Sequence, residues 1–177
     1  NVTWKTGNDY GRVNGIGYFS NTNPAFPMTN GIVMTSGAAS SAPGPYGSSS
    51  QNNGNEDWIA DPQLTNYMNN YFGENAEYHN ASIIEFDFKP FTDQMSFNFL
   101  FASQEYGDAQ CTFSDSFAFF LTNTETGEVT NLALLPGTNI PISVVTIRDE
   151  QYNDGCTSEN VEYFGSFNQN DPLSVLN

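Results

Sequence analysis

The sequence predicts an all-β fold: an antiparallel β-sandwich, jelly-roll-like, with one short helix and a long Ser/Gly-rich loop. Three observations predict it. Short apolar runs alternate with period two, turn residues separate them, and only one stretch has helical spacing. "NGIVMTSG" is a short strand closed by Gly37. "SGAASSAPGPYGSSSQNNGNED", Ser36 to Asp57, is a long surface loop, because Gly, Ser, Pro and Asn supply turns and no core. In "DPQLTNYMNNYF", Asp61 caps, Pro62 takes the first helical position, and Leu64, Tyr67, Met68 and Tyr71 follow at i, i+3, i+4 and i+7. "SIIEFDFKP" puts Ile84, Phe86 and Phe88 on one face and stops at Pro90. "MSFNFLFAS" alternates Met95, Phe97, Phe99 and Phe101 and is expected as a strand. "SFAFFL" places Phe117, Phe119 and Leu121 inside. "VTNLALL" and "PISVVTIRD" supply two more strands around the turn "PGTN". "NGIGYF" has Gly15 and Gly17 without the third glycine of a phosphate loop, and is read as a turn.

The chain of 177 residues is long enough for one domain with a real core, and 15% of it is aromatic. The 20 acids against 4 bases give a net charge of -16, so there is no basic patch for nucleic acid or an anionic membrane surface. No run of 18 apolar residues exists for a membrane span. This balance suits a secreted protein in a cation-rich medium, or serves solubility alone. The two cysteines, Cys111 and Cys156, favour one disulfide in an oxidising compartment, with two free thiols as the alternative. A bridge would close about 45 residues and stabilise by roughly 3–4 kcal/mol. The chain starts at Asn1 without Met and is read as a mature or excised piece.

The densest chemistry lies in "FASQEYGDAQCTFSDSFAFFL", where Glu105, Asp108 and Asp115 crowd a loop with Cys111. Ca²⁺ takes six to eight oxygens from carboxylates, carbonyls and water, so these three acids are candidate metal ligands. The plainer alternative is that they accept backbone hydrogen bonds and fix the loop. Catalysis is not expected. The chain has a single imidazole, His79, no GxSxG and no HExxH, and acidic chains offer carboxylate pairs by chance. Trp58 and Tyr46, with Tyr71 and Tyr78 nearby, are candidates for an aromatic platform that stacks on sugars. Trp58 has a rival reading as a plug at the sandwich edge.

The phrases "NGIVMTSG", "GPYGSSS", "DPQL", "IIEFDFKP", "MSFNFLFASQEY", "FSDSFAFFL", "NLALLPGTNIPISV" and "EYF" fall in the order and approximate spacing of one known family. From about Gly15 to Phe164 the chain resembles the choice-of-anchor L domain of bacterial surface and secreted proteins. "FASxEY", followed by "F-x-D-x-F-x-FF", is the strongest part. The resemblance implies an extracellular module of large, often adhesive proteins and implies no enzyme. Two departures stand out. The family usually shows two acids before the Tyr, where this chain has Gln104 first. It is also expected to continue through further strands past "YF", whereas this chain ends at "DPLSVLN". Either the chain is cut short or the missing strands come from elsewhere.

The expectation is therefore one β-sandwich domain over residues 1–177, cut short or completed by another segment at its C-terminal end. It acts as a non-catalytic extracellular module for adhesion or display on a bacterial cell surface, stabilised by Ca²⁺. The alternatives are a carbohydrate-binding domain of a secreted protein and a strand-exchanging subunit of a surface filament. Its partners would be other surface-protein segments, copies of itself, or glycans, with no nucleic acid and no membrane insertion.

Overall fold

A computed structural model describes residues 1–24, 26–43 and 54–168. The chain divides into two compact units, Asn1–Asn98 and Phe99–Asn177. Among the described residues it is strand-rich with one α-helix, and the strands pair antiparallel in four two-stranded ladders. Among the described residues these ladders do not merge into the larger sheets that a jelly-roll sandwich requires.

In the first unit, β1 (Val2–Lys5) pairs with β4 (Ile83–Phe86), and β2 (Ile16–Ser20) pairs with β3 (Asn30–Met34). The "NGIGYF" stretch is thus strand β2 and not a turn. Gly17 sits in the ladder opposite Val33, and a Cβ there would meet the Val33 side chain. Helix α1 (Pro62–Phe72) forms as expected. The Asp61 carboxylate accepts from the Leu64 N–H at 2.7 Å, and Gly73 closes the helix at φ 68°. Met68 of the apolar stripe is fully buried, but Tyr71 faces solvent.

One side chain organises this unit. Trp58 is 0% exposed, and its indole N–H donates to the Ala81 carbonyl at 2.8 Å. Two glycines make room for the ring. A Cβ at Gly7 would stand 2.7 Å from it and one at Gly15 2.9 Å. Thr6 ties these segments together: its hydroxyl accepts from the Gly15 N–H at 2.7 Å while its own N–H donates to Asp9. Asn80 holds the other side of the tryptophan. It sits at φ 60°, donates its N–H to the Trp58 carbonyl, and donates its side-chain amide to the Asn55 carbonyl at 2.9 Å.

In the second unit, β5 (Ser116–Phe117) pairs with β8 (Ile142–Ser143), and β6 (Phe120–Thr122) with β7 (Val129–Asn131). Ala133, Leu135, Ile142 and Ile147 form its buried core, with Phe101, Phe117, Phe119, Ile140 and Phe164 packed against them. The "PGTN" turn forms, with Gly137 at φ 73° and the Thr138 N–H bonded to Leu135 O. Polar side chains finish the core where ladders stop. The Asn131 amide oxygen accepts from Phe119 N and Ala133 N, and the Thr146 hydroxyl donates to Pro141 O at 2.7 Å.

Two strand expectations are corrected. Residues 94–103 belong to none of the ladders formed among the described residues, although "MSFNFLFAS" alternates cleanly. Alternation marks a face, and a strand needs a ladder besides. In "SIIEFDFKP" the ladder ends at Phe86, and Phe86 and Phe88 are exposed, so the face expected inside looks outward.

Candidate functional site

The acidic loop folds as a tight series of turns between Gln104 and Thr112. Gly107 turns the chain at φ 86°, in the left-handed region that favours glycine. Gln110 is fully buried. Its oxygen accepts from Gly107 N, and its amide donates to Asp149 O at 2.9 Å. Asn153 donates to the carbonyls of Gly107 and Asp108. Cys111 and Cys156 are disulfide-bonded with Cα atoms 5.5 Å apart, as expected from the sequence. The loop is therefore stitched to residues 149–156 by amide hydrogen bonds as well as by sulfur.

The three acids fare differently. Ser103, 5% exposed, sits at the centre: its hydroxyl donates to the Asp115 carboxylate at 2.5 Å and accepts from the Glu105 N–H at 3.0 Å. Asp115 and Glu105 are both partly buried. Burial pushes the Asp115 carboxyl above its ordinary range, and the Ser103 hydrogen bond offsets part of that. Burial also raises Glu105, and the neighbouring Asp115 charge raises it further. Tyr106 is pushed up as well, first by burial and then by Asp115. Asp108 is exposed and contributes its main-chain carbonyl to the loop. Among the described residues, no three His, Cys, Asp or Glu side chains gather into a set able to hold a metal ion. The structure thus brings Glu105 and Asp115 together around Ser103 and leaves Asp108 outside.

The aromatic platform needs a correction. Trp58 cannot offer a ring face, because it is buried on all sides and its N–H is engaged. Tyr46 lies outside the described residues. The tryptophan that meets solvent is Trp4, at 67% exposed. It stands on β1 opposite Ile84, on the face that also carries Val2 and Phe86, with the Phe88 ring 5.9 Å from that of Phe86. The opposite face, with Thr3, Lys5, Ile83 and Glu85, borders a cleft of about 450 Å³ that Asp9, Ile59 and Asp61 also line. The signal for this strand was available: "VTWK" alternates Val2 and Trp4 against Thr3 and Lys5.

The single imidazole, His79, is exposed and bridges main chain to main chain with Ile59. No described helix is long and apolar enough to cross a membrane. No curated protein and no solved structure matches the chain significantly. Against known families, residues 1–176 match the choice-of-anchor L domain, and the chain belongs to that family of surface-associated, extracellular modules.

Proposed function

We propose that the chain is a non-catalytic module displayed on a bacterial cell surface, where it works by contact: adhesion or presentation. The observation that carries this reading is the outward face of β1 and β4. Val2, Trp4 and Phe86 are all exposed there, and Phe88 extends the row. Contiguous exposed aromatics are costly to keep in water and mark surfaces that meet a partner. Antibody labelling of intact cells tests the setting, with signal expected before lysis. Signal only after lysis overturns it.

Carbohydrate is the second reading, and exposed Trp4 favours it, since a solvent-facing indole is what a sugar ring stacks on. A glycan array of the wild-type chain should then give hits that Trp4→Ala removes. Hits that survive the substitution would place any sugar site elsewhere.

We also propose Ca²⁺ at Glu105 and Asp115. Two partly buried carboxylates with no ion-pair partner among the described residues support it. With only two acids, most of the six to eight oxygens must be carbonyls and water. The affinity should therefore be weak, about 10⁻⁴–10⁻³ M. A melting temperature that rises with added Ca²⁺ supports the ion, and one that stays flat removes it.

A further inference from the structure

No residue between Arg12 and Glu56 carries a charge, in a chain with 20 acids and 4 bases. Strands β2 and β3 both lie in this neutral stretch. Their inner face is partly covered: Gly17 lies close to Ala39, and Phe19 lies against Gly31 and packs edge-on against Phe26. Their outer face is bare, with Tyr18 74% and Ile32 62% exposed and Met34 beside them.

The same residues have main-chain groups to offer. Asn21 N bonds to Thr29 O and Thr35 N to Gly15 O, which sets the alternation of the ladder. Tyr18 and Ile32 are then a non-hydrogen-bonded pair, with N–H and C=O pointing away from the ladder. Among the described residues no third strand pairs with either outer edge. Natural edges are blunted by charges, prolines or bulges. The segments "IGYFS" and "NGIVM" contain no charge and no proline.

We propose that the β2–β3 sheet is the contact through which two copies of this chain associate. The charge distribution selects the occupant. Two molecules of net charge -16 repel over most of their surfaces, and the neutral sheet is where they can approach. Tyr18 and Ile32 supply the apolar contact. Their outward main-chain groups lie on opposite edges of the ladder, so a partner strand hydrogen-bonds to one edge at a time, and on β2 the groups of Ile16 are already held by the Asn14 side chain. Two five-residue strands present roughly 200 Å² of face. That is well below the ~800 Å² per partner of a standard interface. The association is therefore weak and reversible, suited to many copies held close together on a surface. That crowding is the only respect in which it rests on the display reading, and the contact itself is tested in solution.

Sedimentation of the chain, with its disulfide intact, over rising concentration and at low and high salt is the test. The expected result is a dimer that grows with concentration and strengthens with salt, because salt screens the repulsion and has no charged contact to weaken. Tyr18→Lys and Ile32→Lys should each abolish the dimer, while Val129→Lys, at an exposed site on β7, should leave it unchanged. A monomer under every condition overturns the proposal. So does a dimer that weakens with salt, or one that survives both lysine substitutions. Where a variant folds poorly, the salt series on the wild-type chain can still overturn the proposal, by a monomer throughout or by a dimer that weakens with salt.

Discussion

The two units are held by different means. The first, Asn1–Asn98, closes around one fully buried tryptophan, with Gly7, Gly15, Thr6 and Asn80 shaped to fit it. The second, Phe99–Asn177, has an aliphatic core of Ala133, Leu135, Ile142 and Ile147 and a disulfide that pins its acidic turn. Their carboxylates differ too. Asp57 of the first unit is held below its ordinary range, chiefly by a hydrogen bond from Arg12 and then one from Asn55. Glu105 and Asp115 of the second are pushed above theirs, chiefly by burial. Short ladders alone hold little. A loop-rich chain is fixed by a few non-local anchors, and which anchor it uses decides what perturbs it.

The largest expected effect is Trp58→Ala. Removing a fully buried indole costs about 3–5 kcal/mol. Hydrogen exchange should show the loss in the amides of residues 1–98. Equal loss in the amides beyond residue 98 would mean that Trp58 anchors both units. Next is the disulfide. Replacing Cys111 and Cys156 by Ser should cost roughly 3–4 kcal/mol, because a loop of 45 residues is released. That loss should appear first in the amides of the acidic turn. Intact mass of the unreduced chain should show no free thiol, and a count of two would remove the anchor.

A smaller effect has the opposite sign. A carboxyl whose folded pKa lies above its unfolded value adds stability below the unfolded pKa and loses it as pH rises through the folded one. Glu105 and Asp115 are both raised, so without divalent cations they weaken the second unit at neutral pH, and mild acidification should strengthen it. Asp115→Asn should raise the neutral-pH melting temperature by about 2–4 °C, equivalent to about 1 kcal/mol. With Ca²⁺ bound at this pair, the same substitution should lower it instead. Thermal scans with and without chelator therefore separate a bare acidic pair from an occupied one. The smallest effect is Trp4→Ala. An exposed side chain away from the core should change stability within about 0.5 kcal/mol. A large loss there would mean that Trp4 is a second anchor and not a contact surface.

Local signals were legible in the sequence. Asp61 and Pro62 announce helix α1 because capping is settled within one turn, and Gly137 announces its turn for the same reason. Non-local facts were not legible. "MSFNFLFAS" has the pattern of a strand, but nothing in it names a partner. Trp4 and Trp58 are the same residue type with opposite roles, and the difference lies in glycines at 7 and 15 far from position 58. At the acidic turn, three carboxylates were visible, but the residue that sorts them is Ser103. Its hydroxyl joins Asp115 to the Glu105 backbone, and a serine beside a phenylalanine-rich run gives no sign of that.

The Asn80 clamp has a consequence for how the protein can be made. "NAS" at residues 80–82 is a formal acceptor for N-linked glycans. In a eukaryotic secretory host, a sugar transferred to the nascent chain would attach to the Asn80 side-chain nitrogen. That is the atom that donates to the Asn55 carbonyl. The side chain also fills the space against Gly54, where even a Cβ would stand 2.4 Å from it. A glycan there replaces one of the two amide hydrogens and wedges apart the segments that cover Trp58, before the ring has been enclosed. Production in a bacterial periplasm, which oxidises Cys111 and Cys156 without modifying asparagine, should give the native fold. Asn80→Asp in a glycosylating host should recover part of the yield, because it removes the acceptor but also the donor.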